Sequence, residues 1–189
     1  MIIGITGRSG SGKSYLSDVL AEKLDLIHID IDKISHEVLT YAESKKFLMQ
    51  EFGSEIFENE KLNRKLLGKI VFNSPQKLEK LNRFCQIEME KKLDEIISTA
   101  KKPLILDYAL LFGLKQFDSC DIKILLKADF DLRYSRVKTR ENITKEYFLS
   151  RDNSLLDSNF DETKFDFVFK NISKEEIDEL IKTLESKLN

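Results

Sequence analysis

Residues 7–14 of the chain read Gly-Arg-Ser-Gly-Ser-Gly-Lys-Ser, and this segment constrains the fold more than any other part of the sequence. The apolar run Ile2–Thr6 comes directly before it and predicts a buried strand. After it, apolar residues recur at three- and four-residue intervals, which predicts an amphipathic helix that begins near Lys13. The pattern Gly-x-x-x-x-Gly-Lys-Ser at such a junction is the P-loop, which holds the phosphates of a nucleoside triphosphate. The chain must therefore bring a buried strand and a helix together around a phosphate group.

The residue types in this loop match the chemistry of phosphate binding. Gly7, Gly10 and Gly12 let the backbone turn tightly and direct its amides at phosphate oxygens. The start of the following helix has unpaired N–H groups and a partial positive charge, and both favour an anion. Lys13 can reach the β- and γ-phosphates, and the Ser14 hydroxyl can ligate Mg²⁺. We therefore predict that ATP and Mg²⁺ are the cofactors, that Lys13 is catalytic, and that the nucleotide contacts are Ser9, Gly10, Ser11, Gly12, Lys13, Ser14 and Tyr15.

Five apolar runs predict the strands of one sheet: Met1–Thr6, Leu26–Asp30, Leu104–Asp107, Ile122–Lys127 and Phe165–Phe169. Runs that are apolar at nearly every position are typical of strands that helices cover on both faces. The segments between them show helical spacing, so the predicted fold class is α/β, a doubly wound five-stranded parallel sheet of the P-loop NTPase type. We predict a single domain over residues 1–189, with a helical substrate-binding insertion at about 33–100 and a lid at about 140–158.

Composition and charge argue against several classes of function. A formal net charge of −2 over 189 residues argues against a dedicated nucleic-acid-binding protein, which usually carries a basic excess. The two cysteines, Cys85 and Cys120, form no Cys-x-x-Cys pair, so the sequence supports neither a zinc site nor a redox motif. No apolar run approaches the roughly 20 residues that a membrane span needs, and because Met1-Ile2-Ile3 already resembles the first strand, we expect no leader before it. We expect a cytoplasmic monomer with no membrane or nucleic-acid partner.

The P-loop alone does not name the reaction, because molecular switches and motors also use it. GTPases carry the motifs Asn-Lys-x-Asp and Asp-x-x-Gly, and the sequence contains neither. Motor ATPases typically end an apolar strand in Asp-Glu, whereas here the run Leu104–Asp107 is followed by Tyr108. A small-molecule kinase is therefore the stronger interpretation. In such an enzyme Asp107 either holds Mg²⁺ through water or simply caps the third strand.

A kinase also needs a group that deprotonates the acceptor hydroxyl and cations that hold the moving phosphoryl group. Asp30 and Asp32 end the second strand, and Asp32 is our candidate base; its alternative role is to cap the following helix. Each candidate cation is either a phosphoryl-binding group or part of a solvated basic face. These cations are three arginines that share one helix face and a fourth beyond them: Arg133, Arg136, Arg140 and Arg151.

Further motifs occur in a characteristic order along the chain: Ile29-Asp30-Ile31-Asp32, Phe52-Gly53, Leu62-Asn63-Arg64-Lys65-Leu66-Leu67-Gly68-Lys69-Ile70-Val71-Phe72, Leu81-Asn82, Asp107-Tyr108-Ala109-Leu110-Leu111-Phe112, Arg140-Glu141 and Asn171. Over these motifs and the P-loop, which span most of its length, the chain resembles the dephospho-coenzyme A kinase family. The segment 62–72 is the most discriminating match, because it is similar to the family pattern Leu-Asp-Arg-x-x-Leu-Gly-x-x-Val-Phe.

The resemblance implies a reaction and three site residues. The reaction is the ATP- and Mg²⁺-dependent phosphorylation of the ribose 3′-hydroxyl of dephospho-coenzyme A, a small-molecule substrate. By the same resemblance, Asp32 is the base at that hydroxyl, Arg64 contacts the substrate and Arg140 is the catalytic cation of the lid. The residues leave two alternatives open: a nucleoside or nucleotide kinase of the same fold, and a regulatory protein that binds ATP without transferring phosphate.

The chain departs from the family pattern on the acceptor side. Gln86-Ile87 stand where the family usually has His-Pro, and Ala109 and Gly113 replace the proline and the glutamate of Pro-Leu-Leu-Phe-Glu. Leu155 stands at the position of a lid glutamine. The P-loop and the candidate catalytic residues are intact, which favours a working enzyme over an inactive one.

Overall fold

The structure is a computed structural model that describes residues 1–153 and 160–188. The chain divides into two compact units. The first, the sheet unit, consists of Met1–Asp30 and Thr99–Asn189, and the second, the helical unit, is Ile31–Ser98. Leu155, the predicted position of a lid glutamine, lies outside the described residues.

The described residues form seven strands and eight α-helices. The strands are β1 (Ile2–Thr6), β2 (Ile27–Asp30), β3 (Phe57–Glu58), β4 (Lys61–Leu62), β5 (Leu104–Asp107), β6 (Ile122–Lys127) and β7 (Phe167–Lys170). The helices are α1 (Lys13–Leu24), α2 (Ile31–Val38), α3 (Ala42–Phe52), α4 (Arg64–Phe72), α5 (Pro75–Thr99), α6 (Phe130–Glu141), α7 (Lys145–Asn153) and α8 (Lys174–Leu188). In the described part of the chain, no helix is both long and apolar enough to cross a membrane.

The sheet unit is built on a five-stranded parallel sheet with the strand order β2-β5-β1-β6-β7. This arrangement confirms the predicted α/β fold. The strand β1 lies in the centre, where Ile5 is in register with Asp107 of β5 and Thr6 with Leu125 of β6. Because parallel strands end at the same edge, the carboxyl ends of β5, β1 and β6 meet where residues 7–14 leave the sheet. This edge positions the candidate site.

The helix α1 is held against the sheet by a shared apolar core. Ile3 and Ile5 of β1 are fully buried and belong to one cluster with Leu16 and Leu20 of α1, which are also fully buried. Full burial of an aliphatic side chain stabilises a fold by roughly 1.5–3 kcal/mol. The same cluster includes three buried residues of α8: Ile177, Leu180 and Leu184.

The last strand begins two residues later than its apolar run predicts. Phe165 directly follows the 3₁₀ turn Glu162–Lys164, and its ring packs against that of Phe117 with centroids 5.5 Å apart. The next residue, Asp166, accepts a hydrogen bond from the Lys123 backbone at 2.8 Å through its side chain. Ladder pairing with β6 starts only at Phe167. An apolar run indicates which residues are buried, not which of them lie in a strand. Phe165 is partly buried by its aromatic contact with Phe117, outside the strand.

The helical unit has an apolar core of its own. It consists of Leu48, Phe52, Ile56, Leu67 and Val71. The strands β3 and β4 form an antiparallel hairpin, and its two turn residues, Asn59 and Glu60, adopt positive φ values of 47° and 63°. At the start of α4, the Asn63 side chain accepts a hydrogen bond from the Leu66 backbone at 3.0 Å and caps the helix. Asparagine is as good a cap as the aspartate of the family pattern, so this difference leaves the helix start unchanged.

Candidate active site

Residues 7–14, hereafter the phosphate loop, connect β1 to α1, and a side chain at Gly7 or at Gly10 would collide with the backbone of a neighbouring element. Gly7 has a φ of 146°, and a Cβ atom there would lie 2.1 Å from the backbone oxygen of Leu126. Gly10 has a φ of 81°, and a Cβ atom there would lie 2.6 Å from the backbone oxygen of Arg133. A residue with a side chain fits neither position without moving the backbone. The phosphate loop therefore packs directly against the end of β6 and the first half of α6.

Two successive carbonyls of the phosphate loop accept hydrogen bonds from arginines of α6. Arg133 Nη1 donates to the Ser9 oxygen at 3.4 Å, and Arg136 Nη1 donates to the Gly10 oxygen at 3.1 Å. The amide and the carbonyl of a peptide unit share one rigid plane. These two bonds therefore fix the orientation of the two peptide planes between Ser9 and Ser11.

The N-terminus of α1 offers a positive potential to an anion. Gly12 provides no side-chain cap, and the first turn of α1 contains no acidic residue. Lys13, the first helical residue, is 9% exposed, and its Nζ donates to a carbonyl of the phosphate loop at 3.4 Å. The buried Ser11 hydroxyl has no hydrogen-bond partner among the described residues. Ser14 and Tyr15 follow on the surface of α1, with Tyr15 65% exposed.

Asp107 ends β5 and contacts a histidine of the edge strand β2. Its side chain is 4% exposed, and its Oδ2 lies 3.4 Å from His28 Nε2. The other ring nitrogen of His28, Nδ1, lies 2.8 Å from Asp18 Oδ1 on α1. The nearby Asp107 carboxylate raises the pKa of His28, against the opposing effect of partial burial, and the Asp18 carboxylate raises it further. The imidazole thus links the end of the central sheet to α1.

The three arginines of α6 have different surroundings. Arg133 is 5% exposed and forms a bidentate ion pair with Asp152 of α7. Arg136 reaches the phosphate loop, as described above. Arg140, the predicted lid cation, lies in the last turn of α6, is 61% exposed and pairs with the neighbouring Glu141. All three arginines belong to one helix, as their spacing predicts, and Arg133 and Arg136 are the two whose hydrogen bonds to the phosphate loop are seen among the described residues.

Asp32 and Arg64 both lie in the helical unit, where Asp32 belongs to α2 and Arg64 contacts α2 from α4. Asp32 is exposed and is the second residue of α2, so it lies inside the first helical turn rather than before it. Arg64 begins α4, and its Nη2 donates to the His36 carbonyl at 3.0 Å, one helical turn beyond Asp32. Arg64 also lines a cleft of about 320 Å³ with Lys45, Lys61 and Glu60, so that three cations and one carboxylate surround it. This cleft offers positive charge to an anionic ligand.

Comparison with known proteins places the chain in a family. A family model described as dephospho-CoA kinase matches residues 1–176 of the chain. The dephospho-CoA kinase of Fusobacterium nucleatum is 33% identical, over 98% of this chain and 95% of that protein. The chain belongs to the dephospho-CoA kinase family. This result confirms the resemblance and the predicted class of small-molecule kinase. The family catalyses the final step of coenzyme A synthesis, and its P-loop kinase fold implies ATP as a substrate.

Solved structures share the fold of this dephospho-CoA kinase family member. A Thermus thermophilus structure described as TT1252 has a TM-score of 0.82 at 25% identity and covers 100% of this chain and 98% of its own. The dephospho-CoA kinase of Campylobacter jejuni has a TM-score of 0.67 at 23% identity, with coverage of 98% and 96%. The second likeness, at this identity, supports the fold alone.

At the positions where the chain departs from the dephospho-CoA kinase pattern, the local structure accommodates the residues that are present. Gln86-Ile87 lie within the uninterrupted helix α5, and Gln86 Nε2 donates to Glu90 Oε1 at 3.0 Å. A proline at position 87 would lack the backbone N–H that a helix interior uses. The Ala109 carbonyl accepts a hydrogen bond from Thr6 Oγ1 at 3.0 Å, a contact that any residue type can make. Gly113 is exposed, and a Cβ atom there would meet nothing within 4 Å.

The sequence did not predict the contacts that three residues make in the candidate site: Arg8, His28 and Asp152. His28 carried a signal, since a titratable residue in an otherwise apolar strand needs polar partners. Arg8 occupies a position of the P-loop pattern that accepts any residue, and Asp152 lies in a polar segment. Neither of these two residues could be distinguished from an ordinary surface charge without its partner.

Proposed function

We propose that this chain transfers the γ-phosphoryl group of ATP to the ribose 3′-hydroxyl of dephospho-coenzyme A, giving coenzyme A and ADP. The observation that carries the proposal is the phosphate loop. Arginines fix two of its carbonyls, glycine is required at Gly7 and Gly10, and it leads into an uncapped helix that starts with Lys13. Such a loop binds the phosphates through backbone amides, while the Lys13 ammonium neutralises charge on the transferred group. In this proposal the nucleotide contacts are Ser9, Gly10, Ser11, Gly12, Lys13, Ser14 and Tyr15.

The donor set of the phosphate loop and β5 fits Mg²⁺. Mg²⁺ prefers oxygen ligands and is usually held by one or two protein groups together with water and phosphate. Ser14 supplies a hydroxyl in the first turn of α1, and Asp107 supplies a buried carboxylate whose Oδ2 accepts no well-aligned hydrogen bond among the described residues. We propose that Ser14 ligates the ion and that Asp107 acts through water. When bound, Mg²⁺ would neutralise charge on the β- and γ-phosphates.

We assign the acceptor side to the helical unit. Asp32 presents an exposed carboxylate in the first turn of α2 and would accept the proton of the attacking 3′-hydroxyl. Arg64 would bind an anionic part of the acceptor, which the cations around its cleft support. Arg140 would act as the lid cation within residues 140–158. The helical unit, Ile31–Ser98, would then serve as the substrate-binding part of one P-loop kinase domain.

We also propose that the enzyme works as a cytoplasmic monomer on a small molecule rather than on nucleic acid. The net charge of −2 supports the last point, because nucleic-acid-binding domains usually carry a basic excess. Sedimentation velocity on the purified protein tests the monomer, and a sedimentation coefficient that rises with protein concentration would contradict it.

The decisive experiment measures ADP formation from MgATP with dephospho-coenzyme A, with a panel of nucleosides and with no acceptor. We expect turnover that depends on dephospho-coenzyme A and is absent from the variant Lys13→Ala. Turnover with a nucleoside alone would leave the role of the phosphate loop unchanged but would make the acceptor a nucleoside instead of dephospho-coenzyme A. ATP binding with no turnover on any acceptor would instead indicate a regulatory protein.

A further inference from the structure

Three charged side chains link the phosphate loop to α6 and α7. Arg133 Nη1 and Nη2 donate to Asp152 Oδ1 and Oδ2 at 2.6 and 2.8 Å, which is bidentate geometry. Arg8, inside the phosphate loop, donates from Nη1 to Asp152 Oδ2 at 3.3 Å. One carboxylate of α7 therefore holds an arginine of the loop and an arginine of α6 at the same time.

The pair between Arg133 and Asp152 is almost completely buried, with each side chain 6% exposed. Removing two charges from water costs about as much as their attraction returns, so buried pairs add little net stability. Burial alone would raise the pKa of Asp152, but the hydrogen bonds and charges of Arg133 and Arg8 outweigh burial and lower it. The carboxylate is therefore ionised at neutral pH. Because this buried ion pair adds little net stability to the fold, its role is to fix the positions of the side chains that it joins.

The guanidinium of Arg133 is held on several sides. Its Nε donates to the Ala128 carbonyl at 3.1 Å, and its Cζ lies 5.6 Å from the centre of the Phe148 ring. The nitrogen Nη1, which donates to Asp152, also donates to the Ser9 carbonyl at 3.4 Å. Because the donors of a guanidinium form a rigid fork, fixing both Nη atoms on Asp152 also determines where Nη1 meets the phosphate loop.

The backbone of Arg133 touches the phosphate loop at a second point. A Cβ atom on Gly10 would lie 2.6 Å from the Arg133 oxygen and 2.9 Å from its Cα, so the two backbones are in direct contact. Any displacement of Arg133 must therefore move Gly10 as well as the hydrogen bond to Ser9. The side chain and the backbone of one residue thus control two adjacent residues of the loop.

We propose that Asp152 is a positioning residue that holds Arg133 and Arg8 so that the phosphate loop keeps the shape that binds the phosphates of ATP. The reaction it serves is the proposed kinase function, on which this inference rests. Asp152 acts through the two arginines and has no role in proton transfer. The affinity for nucleotide then depends on the negative charge of Asp152 on α7.

Equilibrium binding of MgATP without an acceptor tests this role separately from phosphoryl transfer. The variants are Asp152→Asn, which removes the charge, Arg133→Met, and the double variant Arg133→Met/Asp152→Leu, which replaces the pair by apolar residues of similar size. The matched control is Asp25→Asn, because Asp25 forms an exposed ion pair with Lys102 at 2.7 Å in the same unit. Thermal unfolding and dephospho-coenzyme A binding are measured on every variant.

We expect Asp152→Asn to weaken MgATP binding about tenfold, as the loss of a charged hydrogen bond does. Binding of dephospho-coenzyme A should not change, and Asp25→Asn should resemble the wild type. The double variant should unfold near the wild-type temperature, since apolar replacement of a buried pair is often neutral. Its affinity for MgATP should nevertheless be lower than that of the wild type, because the Ser9 carbonyl has lost its hydrogen-bond donor.

Two results would overturn the proposal. Wild-type MgATP affinity in the double variant would reduce the pair to a structural contact, and so would wild-type affinity in a folded Asp152→Asn protein. If the wild type binds MgATP but does not phosphorylate dephospho-coenzyme A, the proposed function fails while the positioning role stands on the binding data. A wild type that binds no MgATP would overturn both.

Discussion

His28 Nε2 lies 3.4 Å from Asp107 Oδ2, so a histidine of the edge strand contacts the buried carboxylate that ends the neighbouring strand. The two residues are brought together by the pairing of β2 with β5, in which Asp30 is in register with Asp107. A buried carboxylate is costly unless it has a polar or charged partner. His28 supplies one, and it does so beside the proposed Mg²⁺ position.

The variant His28→Leu should therefore lower the free energy of unfolding by about 1–3 kcal/mol, the cost of leaving a buried polar group without its partner. Urea unfolding at pH 7 without Mg²⁺ measures this change. The control is Asp18→Asn, which removes the partner of the other ring nitrogen. Because Asp18 is 73% exposed, its loss should cost no more than a surface pair does, at most about 1 kcal/mol. Equal losses in the two variants would contradict the special role of Asp107.

Asp32→Asn should retain MgATP binding and lose phosphoryl transfer by about 10²–10⁴-fold, because an amide cannot accept the proton of the acceptor hydroxyl. The kcat of dephospho-coenzyme A phosphorylation and the Kd for MgATP measure the two effects. Glu95→Gln is a control in the same unit, since Glu95 is 65% exposed and pairs with Lys92. Normal turnover in the Asp32 variant would contradict its role as the base and leave it only a structural role in the first turn of α2.

Gly10→Ala should abolish MgATP binding and destabilise the protein, because the added Cβ would lie 2.6 Å from the Arg133 oxygen at a φ of 81°. Gly68→Ala is the matched control. Gly68 lies within α4, and a Cβ there would meet only the Phe72 ring, at 3.6 Å, an ordinary contact distance. That substitution should stabilise the helix by about 0.5–1 kcal/mol. An alanine tolerated at position 10 as well as at position 68 would show that the phosphate loop does not need its contact with α6.

Gly113→Glu restores the carboxylate of the family pattern at a position with room for a side chain. Folding stability should change by no more than about 0.5 kcal/mol, as for other exposed positions. We expect kcat/KM for dephospho-coenzyme A to rise roughly two- to tenfold, the value of one added hydrogen bond, with KM for ATP unchanged. Gly113→Ala separates the carboxylate from the loss of backbone freedom. A similar rise in the alanine variant would show that the carboxylate is not the cause.

The ion pair of Asp152 predicts how stability depends on pH. The pKa of Asp152 is lowered in the folded protein, so its contribution to stability is present above the unfolded value, near 3.9, and is lost as the pH falls through the folded value. The difference in unfolding free energy between wild type and Asp152→Asn should therefore be constant from about pH 5 to pH 7 and shrink below about pH 4. Urea unfolding from pH 3 to pH 7 measures it. A difference that grows on acidification would contradict the lowered pKa.

Local patterns were sufficient to predict the fold. The strand runs, the glycine spacing of the phosphate loop and the helical spacing after it each depend on neighbouring residues and on a fixed backbone period, so they can be read along the chain. All five sheet strands were predicted within two residues of their bounds. The exception at Phe165 arose because an aromatic contact buries that residue outside the ladder.

The candidate site was predictable only where a motif imposes it. Lys13 and the glycines of the phosphate loop could be named because phosphate binding needs those residue types at that spacing. The partners of Arg8 and Arg133 could not, since Arg8 and Asp152 are 144 positions apart and Ser9 and Arg133 are 124 apart. No local rule connects residues at that separation.

By itself, the sequence determined the α/β class, the phosphate loop and the kinase family, because each rests on short-range spacing or on an ordered set of motifs. Only the tertiary structure decided the strand order β2-β5-β1-β6-β7, and with it the neighbours of each strand end. That order brings His28 to Asp107, while the packing of α6 and α7 at the same edge brings Arg133 and Asp152 to the phosphate loop. Such pairs follow from the packing of whole elements, because their members lie far apart along the chain.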